Sequence, residues 1–208
     1  MSTTRDRAAP AVADPTLPQR DRAVGMVLLI AGLVGFVASF VLSVEKYRLL
    51  TNPFYTPSCS VNAVVSCGSV LGSPQSALFG FPNPYLGLAG FAVLAAAGAV
   101  LAGGSWLPGW FWAGLQAGTI AALILIGWLI GQSLFVIGAL CPYCLLVWAA
   151  TICSVWYVTL RNLAARADRV PDPASSPARS FVLRNHSSLL AVQLLAVAGL
   201  AAATVGLR

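Results

Sequence analysis

Charge is what this chain has least of. Between Leu49 and Leu160 there is no Asp, Glu, Lys, Arg or His. Only 9% of the 208 residues are charged, against 58% hydrophobic. Soluble domains carry about 25% charged residues, and a water-facing surface cannot be built without them. The stretch must face lipid or other helices, so the chain is expected to be a polytopic membrane protein. Histidine is also nearly missing: the single one, His186, stands far in sequence from all five cysteines. That argues against a zinc site, although four thiols could in principle form one. A c-type haem needs His directly after the second cysteine of its motif, and Leu145 stands there. No βαβ pattern surrounds the Cys141-Pro142-Tyr143-Cys144 string, which excludes a soluble glutaredoxin-like domain. No ionisable residue is expected inside a span, which argues against an ion or proton transporter.

What is present is a series of apolar runs of membrane-spanning length. Residues 1–22, rich in Ala, Pro, Thr, Arg and Asp, have no apolar periodicity and are expected to form a disordered cytoplasmic tail. Span one covers about Ala23 to Val44. It ends in Glu45, Lys46, Tyr47 and Arg48 without a small-residue cleavage site, so it reads as a retained span and not as a signal peptide. The segment from 45 to 84 is broken by Pro53, Pro57, Pro74, Pro82 and Pro84 and reads as a loop with short helices. Span two covers about Tyr85 to Leu101 and is rich in Gly and Ala, which let helices pack closely in lipid. Gly109 to Leu160 is too long for one helix and suits two. The break is expected near Val136–Ala139, because Pro142 suits the first turn of a new helix. Span three is then about Phe111 to Phe135 and span four about Leu140 to Leu160. A polar segment, 162–187, precedes a fifth span, 188–208.

The net charge of +6 is a topology signal, not a nucleic-acid footprint. Nine arginines fall in the N-terminal tail and the 161–187 segment, against Lys46, Arg48 and Arg208 on the other side. The nine-residue side is expected to be cytoplasmic. Five spans from a cytoplasmic N-terminus put the 45–84 loop and the start of span four on the same, oxidising side.

Both cysteine pairs lie there. Cys141 and Cys144, three residues apart on a helix, would sit about 5–6 Å from each other on one face, within disulfide reach. Their place at a helix N-terminus favours thiolate. Cys59 and Cys67 are eight residues apart, ~12 Å along a continuous helix; pairing them requires the chain to double back, with Asn62 or Gly68 at a bend. Each pair alone has a plain reading, as packed small side chains or as a static loop disulfide. Two pairs on one side of one membrane point instead to thiol redox chemistry. Cys153, ~13 Å deeper along the helix than Cys144, has no polar company and reads as packing.

The run CSVNAVVSCGSVLGSPQSALFGFPNPYLGLAGF, Cys59 to Phe91, followed by Cys141 and Cys144 at the head of a later span, resembles bacterial homologues of vitamin K epoxide reductase. The likeness covers about residues 23–161. It rests on the seven residues between Cys59 and Cys67, on Ser73, on the Phe-Pro-Asn-Pro run, and on the loop pair preceding the Cys-x-x-Cys. The resemblance implies an all-α integral membrane fold, a four-helix bundle core around a quinone site, with the fifth transmembrane helix outside it. It implies that a thioredoxin-like (DsbA-like) exocytoplasmic thiol protein, not fused to this chain, attacks Cys59. Cys67 then attacks Cys141, and Cys144 passes electrons to a quinone of the menaquinone, ubiquinone or vitamin K type. It further implies that Asn83 hydrogen-bonds a quinone carbonyl and that Ser73 steadies the loop cysteines. On the residues alone, Asn83 between two prolines could simply make a turn, and Ser73 could cap a short helix. Where animal members carry Tyr, one turn after the second inner cysteine, this chain has Trp148, which could stack on a ring or donate a hydrogen bond. The expected role is disulfide formation in exported proteins from the bacterial inner membrane, with lipid as the surrounding medium and no metal. A second lineage of quinone-linked disulfide oxidases has the Cys-x-x-Cys first, so the order here argues against it. The remaining alternative is a non-catalytic membrane anchor with a static loop disulfide.

Overall fold

The computed structural model describes residues 17–52, 54–169 and 184–206. Five of its helices are long and apolar enough to cross a membrane, and among the described residues no strand occurs beyond one isolated bridge. The expected class, an all-α membrane protein, is what the structure shows. Helix α1 spans Leu17–Thr51, and a six-residue helix, α2, spans Cys67–Gly72, followed by a 3-10 turn at Pro74–Ala77. Helices α3, α4, α5 and α6 span Pro84–Ala102, Gly109–Gly131, Pro142–Arg169 and His186–Gly206.

The helix limits follow from their terminal residues. Pro84 opens α3 in the first-turn position that proline tolerates, and Gly104 ends the following turn at φ 85. The last turn of α4 widens into a π-helix over Gln132–Ile137. Gly138, at φ 71, stops it and donates its N–H to Ser133 O at 2.9 Å. The break between the third and fourth spans thus falls at Gly138–Cys141, beside the expected Val136–Ala139, and Pro142 opens α5. Two limits differ from expectation. Helix α1 starts six residues before Ala23 and runs on through Glu45 and Lys46 to Thr51, so the loop begins only at Asn52. Helix α5 continues past Leu160 to Arg169. Residues 1–16 and 170–183, most of the expected tail and polar segment, lie outside the described residues.

Packing is uneven. Helix α1 lies against α3 and α5, and α4 lies against α5, while α3 and α4 barely touch. The α1–α3 contact is backbone-close: a Cβ on Gly32 would lie 2.5 Å from the Ala95 nitrogen, and one on Gly98 would overlap the Leu29 backbone. Small residues permit this approach, which in lipid supplies the dispersion contacts that the hydrophobic effect does not. At the other end of the bundle Arg161 stacks over the Trp112 ring at 4.0 Å and pairs with Asp21 at 3.2 Å, joining α5, α4 and α1. Helix α6 touches α5 only lightly; Trp156 Nε1 donates to His186 O at 3.1 Å.

Candidate redox site

The loop between α1 and α3 folds back onto the start of α5. Asn62 makes the bend: its Oδ1 accepts from the N–H groups of Val64 and Val65 at 3.0 and 2.7 Å. The returning residues dock by main chain, Leu140 N–H to Val64 O at 2.7 Å and Ser66 N–H to Leu140 O at 2.9 Å. This places the residue before Cys67 directly beside the residue before Cys141. Helix α2 starts at Cys67, with Ser66 as its N-cap; the Ser66 hydroxyl accepts from Ser69 N–H at 3.2 Å. Ser60 Oγ accepts from Gly68 N–H at 3.0 Å and ties the Cys59 segment to the same helix end.

Three sulfurs meet as a result. Cys59 and Cys67 form a disulfide, with Cα atoms 5.6 Å apart. Cys141 Sγ lies 2.9 Å from Cys67 Sγ, and all three sulfurs lie within 4.8 Å of one another. Cys141 and Cys67 are completely buried, while Cys59 keeps 8% of its surface. Cys141 and Cys144 are free thiols, as is Cys153. The Cys141 thiol is held below the usual thiol range. The Cys144 side chain hydrogen-bonds it, and the N–H groups of Cys144 and Tyr143 add to this; burial and the Glu45 charge oppose them. These amides are the unpaired donors of the α5 N-terminus, where a thiolate is favoured.

Beneath the sulfurs, between α3 and α4, lies a cavity of about 850 Å³. Cys144 lines it, together with Ser73, Asn83, Trp148, Gln75 and Gln132, whereas Cys59, Cys67 and Cys141 do not. The seven candidate site residues thus lie either at the sulfur cluster or on this cavity, and Cys153 lies at neither. Ser73 closes the C-terminal end of α2 by donating to Val70 O at 2.7 Å. Asn83 spends most of its amide on the loop, with Nδ2 donating to Gln75 O at 2.7 Å and Oδ1 accepting from Leu78 N–H at 3.0 Å. One Nδ2 hydrogen is left over. Trp148, 4% exposed, packs in the core between α4 and α5.

Across residues 26–159, more than half of the chain, the sequence matches the model of the vitamin K epoxide reductase family. The chain belongs to that family. Membership makes it a membrane oxidoreductase. A search of curated proteins returned no match.

Sequence reading missed two groups of residues. Glu45 and Lys46, both buried at the end of α1, hold the loop; their only signal in the sequence is adjacency to it, and their charge reads there as the end of the span. Gln75 and Gln132 meet across the cavity, Gln75 Nε2 to Gln132 Oε1 at 3.4 Å, and Gln75 Oε1 is buried without a partner. Nothing in the linear sequence brings these glutamines, 57 positions apart, together.

Proposed function

We propose that this protein is a thiol:quinone oxidoreductase that regenerates disulfides for exported proteins. The observation that carries this reading is that Cys141 lies 2.9 Å from one sulfur of the Cys59–Cys67 disulfide, while Cys144 faces a large cavity between helices.

The chemistry is thiolate exchange between adjacent disulfides. The thiolate of a thioredoxin-like partner attacks Cys59, the least buried of the three sulfurs, and Cys67 leaves as thiolate. The partner's second thiol releases Cys59 and leaves the partner oxidised. Cys67 attacks Cys141 of an oxidised Cys141–Cys144 pair, and Cys144 leaves as thiolate. Cys59 then attacks Cys67, restoring the outer disulfide and expelling Cys141. A low thiol pKa makes Cys141 a good leaving group in that step.

A quinone, when bound, supplies a two-electron, two-proton acceptor that lets the inner pair rebond. The cavity suits such a group. Its volume is within the ~300–1,000 Å³ of ligand pockets, and its lining is largely apolar with a few amides. The orphaned Gln75 Oε1 could accept from a hydroquinone hydroxyl, and the spare Asn83 N–H could donate to a carbonyl oxygen. Trp148 offers a ring face. The slot between α3 and α4 would hold an apolar tail: Gly90, Gly114 and Gly118 line it, and a Cβ at each would meet nothing within 4 Å. Menaquinone, ubiquinone and vitamin K quinones all meet these terms. The location is a bacterial plasma membrane, with the N-terminus cytoplasmic and the sulfurs outside.

Cys144→Ser is expected to abolish quinone reduction while the Cys59–Cys67 bond still exchanges with a thiol partner. Quinone reduction at the native rate by this variant would refute the relay. A static anchor, the alternative, would show neither exchange nor quinone reduction.

A further inference from the structure

Glu45 and Lys46 are buried, with 4% and 8% of their surface exposed, and the relay uses neither. Burying a charge is costly unless hydrogen bonds compensate, and each has them, on different parts of the loop. Glu45 Oε1 accepts from Ser58 Oγ at 2.8 Å and Oε2 from Tyr55 Oη at 2.8 Å. Ser58 is the residue before Cys59. Lys46 Nζ donates to Leu71 O at 2.6 Å and to Ser76 Oγ at 2.9 Å. Leu71 lies in the last turn of α2, whose first residue is Cys67. A cation there also complements the negative end of that helix. Neighbouring positions on α1 thus hold the two cysteine-bearing segments separately, one each.

While Cys59 and Cys67 are bonded, their covalent link already joins the segments. Once a partner opens the bond, only non-covalent contacts fix them. We propose that Glu45 and Lys46 are positioning residues of the redox cycle: Lys46 keeps Cys67 against Cys141, and Glu45 keeps Cys59 in reach of Cys67, while the outer disulfide is open. This rests on the relay reading above. It makes the two residues matter mainly in the reduced state, unlike residues that merely stabilise the fold.

The test uses full-length protein in detergent. In a Cys59→Ala/Cys144→Ser background only Cys67 and Cys141 of the four relay sulfurs remain, and diamide, taking up two electrons and two protons, bonds them if they are adjacent. Without a further substitution the Cys67–Cys141 disulfide should form; if it does not, the relay reading itself fails and the proposal with it. Adding Lys46→Met should lower its yield severalfold, whereas adding Glu45→Gln should leave it near the unsubstituted level. Equal yields with and without Lys46→Met would overturn the proposal and leave the relay standing. In the protein with native cysteines, Lys46→Met and Glu45→Gln should lower thermal stability more when the outer pair is reduced than when it is bonded. The core variant Gly98→Val should lower it alike in both states. Equal losses in both states for Lys46→Met and Glu45→Gln would show a purely structural role and overturn the proposal.

Discussion

In the proposed relay Cys141 is the sulfur on which both exchange steps turn, and its properties come from its neighbours. The Cys144 side chain is the largest influence lowering its pKa, followed by two amides at the head of α5. A group with a lowered pKa is ionised over a wider pH range, and the thiolate is lost only as pH falls through the lowered value. Replacing Cys144 with Ala removes the leading cause. With the outer disulfide bonded, thiolate absorbance of Cys141 in the Cys144→Ala protein should therefore appear at higher pH than in the native reduced protein, which an ultraviolet pH titration would read. Cys153 is kept in both proteins, so its contribution cancels in the comparison. The cysteines were legible in the sequence because their spacing and their common side of the membrane follow from local patterns and arginine counts. The amide environment of Asn83 was not. Its carbonyl and amino groups hold Leu78 and Gln75, contacts that depend on how the 3-10 turn folds over the head of α3.

At the scale of elements, the bundle is asymmetric: α1 and α3 are fused by close backbone approach, while α3 and α4 are separated by the cavity. Glycines occur on both faces and do opposite things. Gly98→Val would drive a branched side chain into the Leu29 backbone and should destabilise the protein by about 2–3 kcal/mol, at the upper end for overpacking, measurable by thermal unfolding in detergent. A Cβ at Gly118 would meet no atom within 4 Å, and leucine is the better helix former, so Gly118→Leu should not lower thermal stability. It should instead raise the KM for a long-tailed quinone roughly tenfold, as expected for loss of ~1–3 kcal/mol of pocket contact, and affect a tailless quinone far less. The apolar runs announced five spans, but not which glycines contact a helix and which border a void. Helix ends were likewise only partly legible. Pro142 marked the start of α5 and so the break before it, whereas the stop at Gly138 went unread, and α1 runs through Glu45 and Lys46 because the loop supplies the hydrogen bonds that water would otherwise provide.

Taken whole, the molecule places a buried sulfur cluster, of which only Cys59 keeps any exposed surface, over an apolar cavity, with one cysteine pair reaching from the first to the second. Main-chain docking of Val64–Ser66 on Leu140 fixes that overlap, joining parts of the chain more than seventy residues apart. Local patterns indicate that both cysteine pairs lie on one side of the membrane; that Cys67 and not Cys59 meets Cys141 came only from the family resemblance, and the contact is 2.9 Å. That choice depends on the bend at Asn62 and the direction of α2. The gap between α3 and α4 has a consequence of its own. Exposed Leu86, Val93 and Trp110 border it, so in a bilayer this apolar rim would face hydrocarbon. For the proposed quinone, supply would then be diffusion in a plane, governed by acyl-chain viscosity. In vesicles, turnover with excess thiol should fall abruptly when the lipid freezes, while exchange at Cys59 with a soluble dithiol continues across the same transition.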